Sequence, residues 1–304
     1  MLVTDPAEFL AAFSPERYAV RAAATAKAAF LVSPAGAVLA AESATDNRYM
    51  DLAQTLDPAR ALAQHAKLAR RLGADVPVIT FPGDSTCPDG MFPNNVFATA
   101  PGRFIVGRMR HPVRRREAER EDIRGFFRDT LGYRTIDLSR EAFTAELTGA
   151  MIIDHARGIG YCGLSERCDL AGARAMQAAF GLRLVFCFEL APGEYHTNVV
   201  MALLAGRAAI LAADGFRDPA VPQAIAGALD GHVVWLSEAQ KIAFSGNAIT
   251  LAPDRVWLSE RGAAALDPAQ RTVIERSGFT LADVPLDEIE KAGGSLRCCV
   301  AEIF

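Results

Sequence analysis

The chain has 304 residues, 51% of them hydrophobic and 22% charged, which is enough apolar material for one large core or two smaller ones and excludes a disordered chain. Lys and Arg number 32 against 36 Asp and Glu, a net charge of -4, so no global positive field exists to recruit nucleic acid or an acidic membrane surface. A small molecule is the expected partner.

The first residues carry Asp5 and Glu8 where a signal peptide would be basic, and no long apolar core follows, so a cytoplasmic location is expected. The longest apolar run, Val199 to Gly206, stops at Arg207, well short of the roughly 20 residues a membrane span needs. Strands are expected at 27–32 and 77–81 around a helix at 58–73. The chain then repeats one order of elements, strand, strand, helix, strand: 96–100, 103–107, 113–131 and 134–138; then 150–154, 158–164, 166–180 and 183–190. The same order returns at 199–205, 207–213, 219–229 and 232–236, and again at 248–252, 255–259, 267–278 and 279–284. A last strand at 295–304 would complete the amino-terminal elements, giving a fifth unit split between the two ends of the chain.

First strands recur about every 50 residues, a spacing of repeated supersecondary units, and an α/β fold of five units in one domain, 1–304, is expected. An ordinary open α/β sheet is the alternative. Polar residues stand just before each first strand, ending at Asn95 (FPNN), Gly149 (ELTG), Asn198 (YHTN), Asn247 (FSGN) and Ser295 (GGS). If the units surround one axis, these positions converge on one mouth and line one pocket.

In their order and spacing, FPNNVFAT (92–99), ELTGAMIID (146–154), GLSER (163–167), YHTNVVM (195–201), FSGN (244–247) and SLRCCVAEIF (295–304) resemble the guanidino-group-modifying enzymes. That superfamily includes arginine deiminases, dimethylarginine dimethylaminohydrolases and amidinotransferases, and the resemblance is nearest its citrulline hydrolase and arginine dihydrolase branch. It implies the pentein fold, a five-fold pseudo-symmetric α/β propeller, and a cofactor-free hydrolase with no metal. The resemblance points to Cys298 as the nucleophile, since a thiolate can attack the planar carbon of a guanidino or ureido group. On a strand, Cys298 and Cys299 would face opposite sides, one for chemistry and one for packing; a shift of register by one residue would exchange them.

The resemblance also makes His196 the general acid and base, and Glu146 the acid that orients it, although Leu147 stands where the family usually has glycine. Asn95 and Asn198 replace the aspartates of arginine deiminases. An amide both donates and accepts, which suits a ureido oxygen as well as a guanidinium N–H; otherwise these asparagines set turns before strands. Arg167 is implied to grip an α-carboxylate in bidentate fashion. Asn47, beside Asp46 in an amino-terminal flap, and Asn247 are implied to contact substrate. Arg297 would either lower the thiol pKa or point away.

The expected function is hydrolysis of a C–N bond in an arginine- or citrulline-like amino acid through an S-linked intermediate, with ornithine and ammonia as products. A dimethylarginine hydrolase, an amidinotransferase and a non-catalytic pentein-fold binding protein are the alternatives, and a homo-oligomer is compatible with all of them. The six cysteines, Cys87, Cys162, Cys168, Cys187, Cys298 and Cys299, show no CxxC spacing and are expected reduced. The charged run 108–128 is expected as a solvated outer helix, 82–90 as a loop shaping a lid, and the histidines other than His196 at the surface.

Overall fold

A computed structural model describes residues 1–304. Its strands form five sheets, one per expected unit, and in each the first strand runs antiparallel to the second while the second runs parallel to the third. The split unit is present: Ala301–Ile303 pairs with Ala28–Val32, which pairs with Val78–Phe81. One strand was not expected. Leu2–Val3 adds to the edge of the second sheet, parallel to Leu184–Glu189, and the following helix Pro6–Ala12 packs Phe9 flat against Phe186 at 4.5 Å between ring centroids.

The parallel second and third strands need a crossover, which helices on the outside supply. Their starts are written in the sequence. Asp57 accepts hydrogen bonds from the first turn of Pro58–Leu72, and Asp267 forms a capping box with Gln270 at the start of Pro268–Arg276. The helix expected at 166–180 begins only at Leu170, because Asp169 caps it; Arg167 is thereby left on an irregular turn. The run expected as one helix at 113–131 is four short pieces, Pro112–Arg115, Arg116–Glu119, Glu121–Gly125 and Phe126–Thr130. It is not a solvated outer helix throughout: Arg114 and Glu117 are buried, paired through Arg114 Nε and Glu117 Oε1 at 2.8 Å. A buried charge persists only when paired and hydrogen-bonded, as here.

The first strands are shorter than expected, and the difference matters. Pro93–Asn95, Leu147–Ala150, Thr197–Val200 and Leu296–Cys299 are single helical turns that immediately precede first strands. The strand expected at 295–304 is therefore only Ala301–Ile303, and the cysteine pair lies on a helical turn. Strand alternation does not separate Cys298 from Cys299. No helix of the chain is long and apolar enough to cross a membrane.

His65 and His111 are buried rather than exposed, and His155 is half-buried with its ring stacked on Phe304 at 3.7 Å. Burial lowers the His65 pKa to about 4, with only a backbone hydrogen bond to Val32 opposing it. Between pH 6.5 and 4 the unfolded chain takes up a proton there that the folded chain refuses, so stability is full above 6.5 and falls as pH drops. This one group costs about 3 kcal/mol by pH 4. Thermal melts at pH 7 and pH 4.5 are expected to show the loss, and His65→Gln to reduce it.

Candidate active site

Cys298 sits on its one-turn helix with its thiol directed at two asparagines carried by other units: Asn247 Nδ2 is 3.4 Å from Sγ and Asn198 Nδ2 is 3.6 Å away. The Asn247 amide has a fixed orientation, because its Oδ1 accepts the Arg297 backbone N–H at 2.9 Å and its Nδ2 also donates to the Asn198 carbonyl at 2.6 Å. Asn198 presents either face to the sulfur, its Oδ1 lying 3.8 Å from Sγ. Burial raises the Cys298 thiol pKa, while the Ser295 backbone, Asn247, Arg297 and Asn198 pull it down. Cys299 is fully buried in apolar surroundings, so the helical turn separates the pair into one thiol among polar groups and one in the core. Arg297 turns its guanidinium away, to the Val300 carbonyl and to Glu302 at 2.8 Å.

The second cluster is built on Glu146 and His196, neither exposed. His196 Nε2 donates to Glu146 Oε2 at 2.8 Å, since an ionised carboxylate only accepts, and this leaves Nδ1 as the unprotonated nitrogen with no partner. Burial alone would raise the Glu146 carboxyl, but Arg167, at 3.2 Å, and His196 outweigh it and hold the group well below the usual range. Burial lowers the His196 pKa, against the pull of Glu146. The resting pair is a carboxylate and a neutral imidazole. Gly149 makes the approach of the next groups feasible: a Cβ there would stand 2.5 Å from Asn95 Oδ1 and 3.0 Å from His196 Nδ1. Leu147, at the position where glycine was the expected pattern, has φ of 29°, a left-handed conformation that favours glycine; the strain is held by complete burial of its side chain.

A narrow cavity of about 20 Å³ opens over Cys298, Asn95, Asn47, Asp89, Phe92 and Arg114. Six expected site residues, Cys298, Asn95, Asn47, Arg167 and, through Cys298, Asn247 and Asn198, are thus brought to one place from distant parts of the chain. Asn95 Oδ1 has no partner. Asn47 is committed to the protein: its Nδ2 donates to the Gly293 carbonyl at 3.2 Å and its Oδ1 accepts the Tyr49 N–H at 3.1 Å. Gly293, at φ of 73°, leaves room for that amide, which a Cβ would meet at 2.4 Å.

Arg167 corrects an expectation. Its bidentate partner is not a free α-carboxylate but Asp46 of the chain itself, through Nε at 2.9 Å and Nη2 at 2.5 Å, with Nη2 also donating to the Ser43 carbonyl. Arg167 therefore clasps the flap 43–46 over Glu146. Asp46 binds His111 as well, at 3.0 Å.

A family model described as N,N dimethylarginine dimethylhydrolase, eukaryotic, matches residues 33–304. The chain belongs to this family. It lies within the guanidino-modifying pentein superfamily. The N(G),N(G)-dimethylarginine dimethylaminohydrolase of Mycobacterium tuberculosis (strain ATCC 25618 / H37Rv) is 27% identical over 261 residues, 84% of this chain and 80% of that one. YkgA of Bacillus subtilis (strain 168), an uncharacterized protein, is 22% identical over 245 residues, 79% of each chain. Among solved structures, the N-terminal domain of ArgZ, a cyanobacterial arginine dihydrolase, superposes with a TM-score of 0.79 at 18% identity, over 91% of this chain and 97% of that one. The dimethylarginine dimethylaminohydrolase adduct with S-methyl-L-thiocitrulline gives 0.71 at 22% identity, over 91% and 100%. Family and structural neighbours are hydrolases of guanidino C–N bonds.

Two cavity residues escaped the reading of the sequence. Asp89 lies in a CPDG turn that reads only as loop chemistry, yet it is buried; its Oδ2 accepts the Ser43 hydroxyl at 2.5 Å and its Oδ1 has no partner. Burial raises its pKa against the opposing pull of Arg114. Arg114 was hidden in an arginine-rich run where nothing distinguishes one buried guanidinium from its exposed neighbours. The PDG turn before FPNN was the available signal for Asp89.

Proposed function

We propose that this family member is a cysteine-dependent hydrolase of the C–N bond of a guanidino or ureido amino acid, with citrulline as the preferred substrate class and ornithine and ammonia among the products. The observation that carries the reading is the pair of amide groups on Cys298, with the Asn247 Nδ2 donor fixed in orientation by the Arg297 N–H. Attack of a thiolate on a ureido carbon turns its oxygen into an oxyanion, which needs N–H donors beside the sulfur; attack on a guanidinium creates amino groups, which need acceptors. One fixed donor, Asn247 Nδ2, and the adaptable Asn198 amide stand beside this sulfur. Acceptors, Asp89 Oδ1 and Asn95 Oδ1, stand on the cavity wall for the substrate N–H groups.

In this reading the Cys298 thiol gives its proton to His196 Nδ1 as the sulfur attacks the ureido carbon, the imidazolium passes that proton to the departing amine, and the neutral imidazole then takes a proton from the water that releases the S-bound fragment. Glu146 keeps the His196 ring in the tautomer with Nδ1 free. Five sheets with one pairing scheme support a propeller around one axis, with these turns at one mouth.

The second reading is hydrolysis of N-methylated arginine, favoured by the family match and by the apolar wall of Phe92, Met50 and Ala292 beside the thiol. One assay separates the two. Purified protein is incubated with citrulline, arginine and N,N-dimethylarginine, and ammonia, dimethylamine and amino-acid products are measured. Ornithine from citrulline is the expected result; dimethylamine release with no turnover of citrulline would overturn it.

A further inference from the structure

A second cavity, of about 290 Å³, lies on the far side of the segments that wall the first. Asn47, Met50 and Gly293 face the Cys298 cavity, whereas Tyr49, Glu290 and Lys291 face this one. Most of its charges are already committed. Lys291 donates to Glu288 at 2.8 Å and to the Thr55 carbonyl, and Asp287 accepts from Gln64 at 2.6 Å and pairs with Arg60.

Three groups, Glu290, Arg261 and Arg48, make only ion pairs of 3.5 to 3.7 Å on this side, without a hydrogen bond. Glu290 is buried, 4% exposed, and its Oε2 has no hydrogen-bond partner. Arg261 Nη1 stands 3.7 Å from that oxygen, too far for a hydrogen bond, and its guanidinium is half exposed. Arg48 approaches Glu194 at 3.6 Å and Glu238 at 3.5 Å, again without a hydrogen bond. A buried carboxylate oxygen without a donor is costly, and the two partly exposed guanidiniums keep donors free for a carboxylate. Tyr49 and Phe244, with ring centroids 5.4 Å apart, give the cavity an aromatic side.

We propose that this cavity is a second binding site, for a zwitterionic α-amino acid: the ligand carboxylate on Arg261 and Arg48, its ammonium group on Glu290 Oε2, and its side chain along Tyr49 and Phe244. One buried acceptor and two partly exposed guanidiniums around one pocket match that combination of charges, and neither a simple anion nor a simple amine uses all three. The place suits an effector. The other oxygen of Glu290 accepts the Ser295 hydroxyl at 2.6 Å, and the Ser295 carbonyl accepts the Cys298 N–H at 3.0 Å, so a ligand on Glu290 touches the turn that carries the thiol. The binding inference needs no step at Cys298 and is tested apart from the proposed hydrolysis.

The test is calorimetric titration of the full chain with L-ornithine, which has no guanidino or ureido carbon for the thiol to attack. Arg261→Ala and Arg48→Ala, at partly exposed positions, are each expected to weaken a binding event about tenfold or more, with melting temperatures close to that of the parent. Agmatine, which lacks a carboxylate, and 5-aminopentanoate, which lacks the α-ammonium group, are expected to bind at least about tenfold more weakly than a zwitterion at this site. No ornithine binding, or binding that both substitutions leave unchanged, as a ligand confined to the Cys298 cavity would show, overturns the proposal.

Discussion

Replacing Cys298 by serine is expected to lower turnover of the preferred substrate by on the order of 10³-fold or more, with little change in melting temperature. Oxygen is the smaller atom, so serine fits without crowding, and the Asn247 and Asn198 amides that approach the sulfur at 3.4 and 3.6 Å can approach a hydroxyl as well. What disappears is the thiolate. Burial already raises the pKa of the Cys298 thiol, so the free protein holds it largely as SH, and the reaction draws the proton off only when substrate is in place. A serine hydroxyl is far harder to ionise in the same surroundings. Steady-state turnover and a thermal melt of the same preparation decide the matter: near-parental turnover by Cys298→Ser would remove the nucleophile from the proposed mechanism. Cys299→Ser serves as the internal contrast. Its side chain touches the core rather than the amides, so a cost in stability without a comparable loss of turnover is expected, from a hydroxyl buried without a partner.

Glu146→Gln is expected to have the second largest effect, and on two quantities at once. In the parent, the carboxylate accepts from His196 Nε2 at 2.8 Å, from Arg167 Nη1 at 3.2 Å and from the Arg110 N–H at 3.1 Å, all in a place that water does not reach. Removing one partner of a buried ion pair costs about 3–5 kcal/mol; because Arg167 keeps Asp46, a loss near about 3 kcal/mol is expected. Turnover should fall by on the order of 10²-fold to 10⁴-fold, since the amide no longer enforces the tautomer with Nδ1 free. The pH profile distinguishes this from a purely structural defect. Glu146 raises the His196 pKa against burial, so its removal lets that pKa fall further, and the acid limb of the rate profile should move to lower pH. An unmoved acid limb would mean that Glu146 does not orient the histidine.

Much of the architecture was legible because it rests on local signals. Strand periodicity, Asp caps at helix starts and the 50-residue return of the same element order each act within a few residues of chain, and the sheets follow them closely. The split unit was legible from the repeat: the amino-terminal elements lacked a first strand, and the terminal one supplies it. Where signals are weak, the reading failed. A charged run looks alike whether a given arginine faces solvent or core, and Arg114 is buried because Glu117 lies three residues on and Phe92 presents its carbonyl from another element.

The sequence by itself determined the α/β order, the membership of a cysteine, a histidine, a glutamate and several asparagines in recurring positions, and the resemblance they carry. The tertiary structure decided how those groups face each other. That Cys298 rather than Cys299 meets the asparagines follows from a helical turn where a strand was expected, and the turn exists because Ser295 accepts the backbone N–H groups of both cysteines. That Arg167 grips Asp46, that Asp89 enters the cavity, and that Leu147 bears a left-handed backbone are likewise outcomes of contacts between residues far apart in the chain. Periodicity reports which side of an element is apolar. Only packing of one unit against the next sets which polar groups share a pocket.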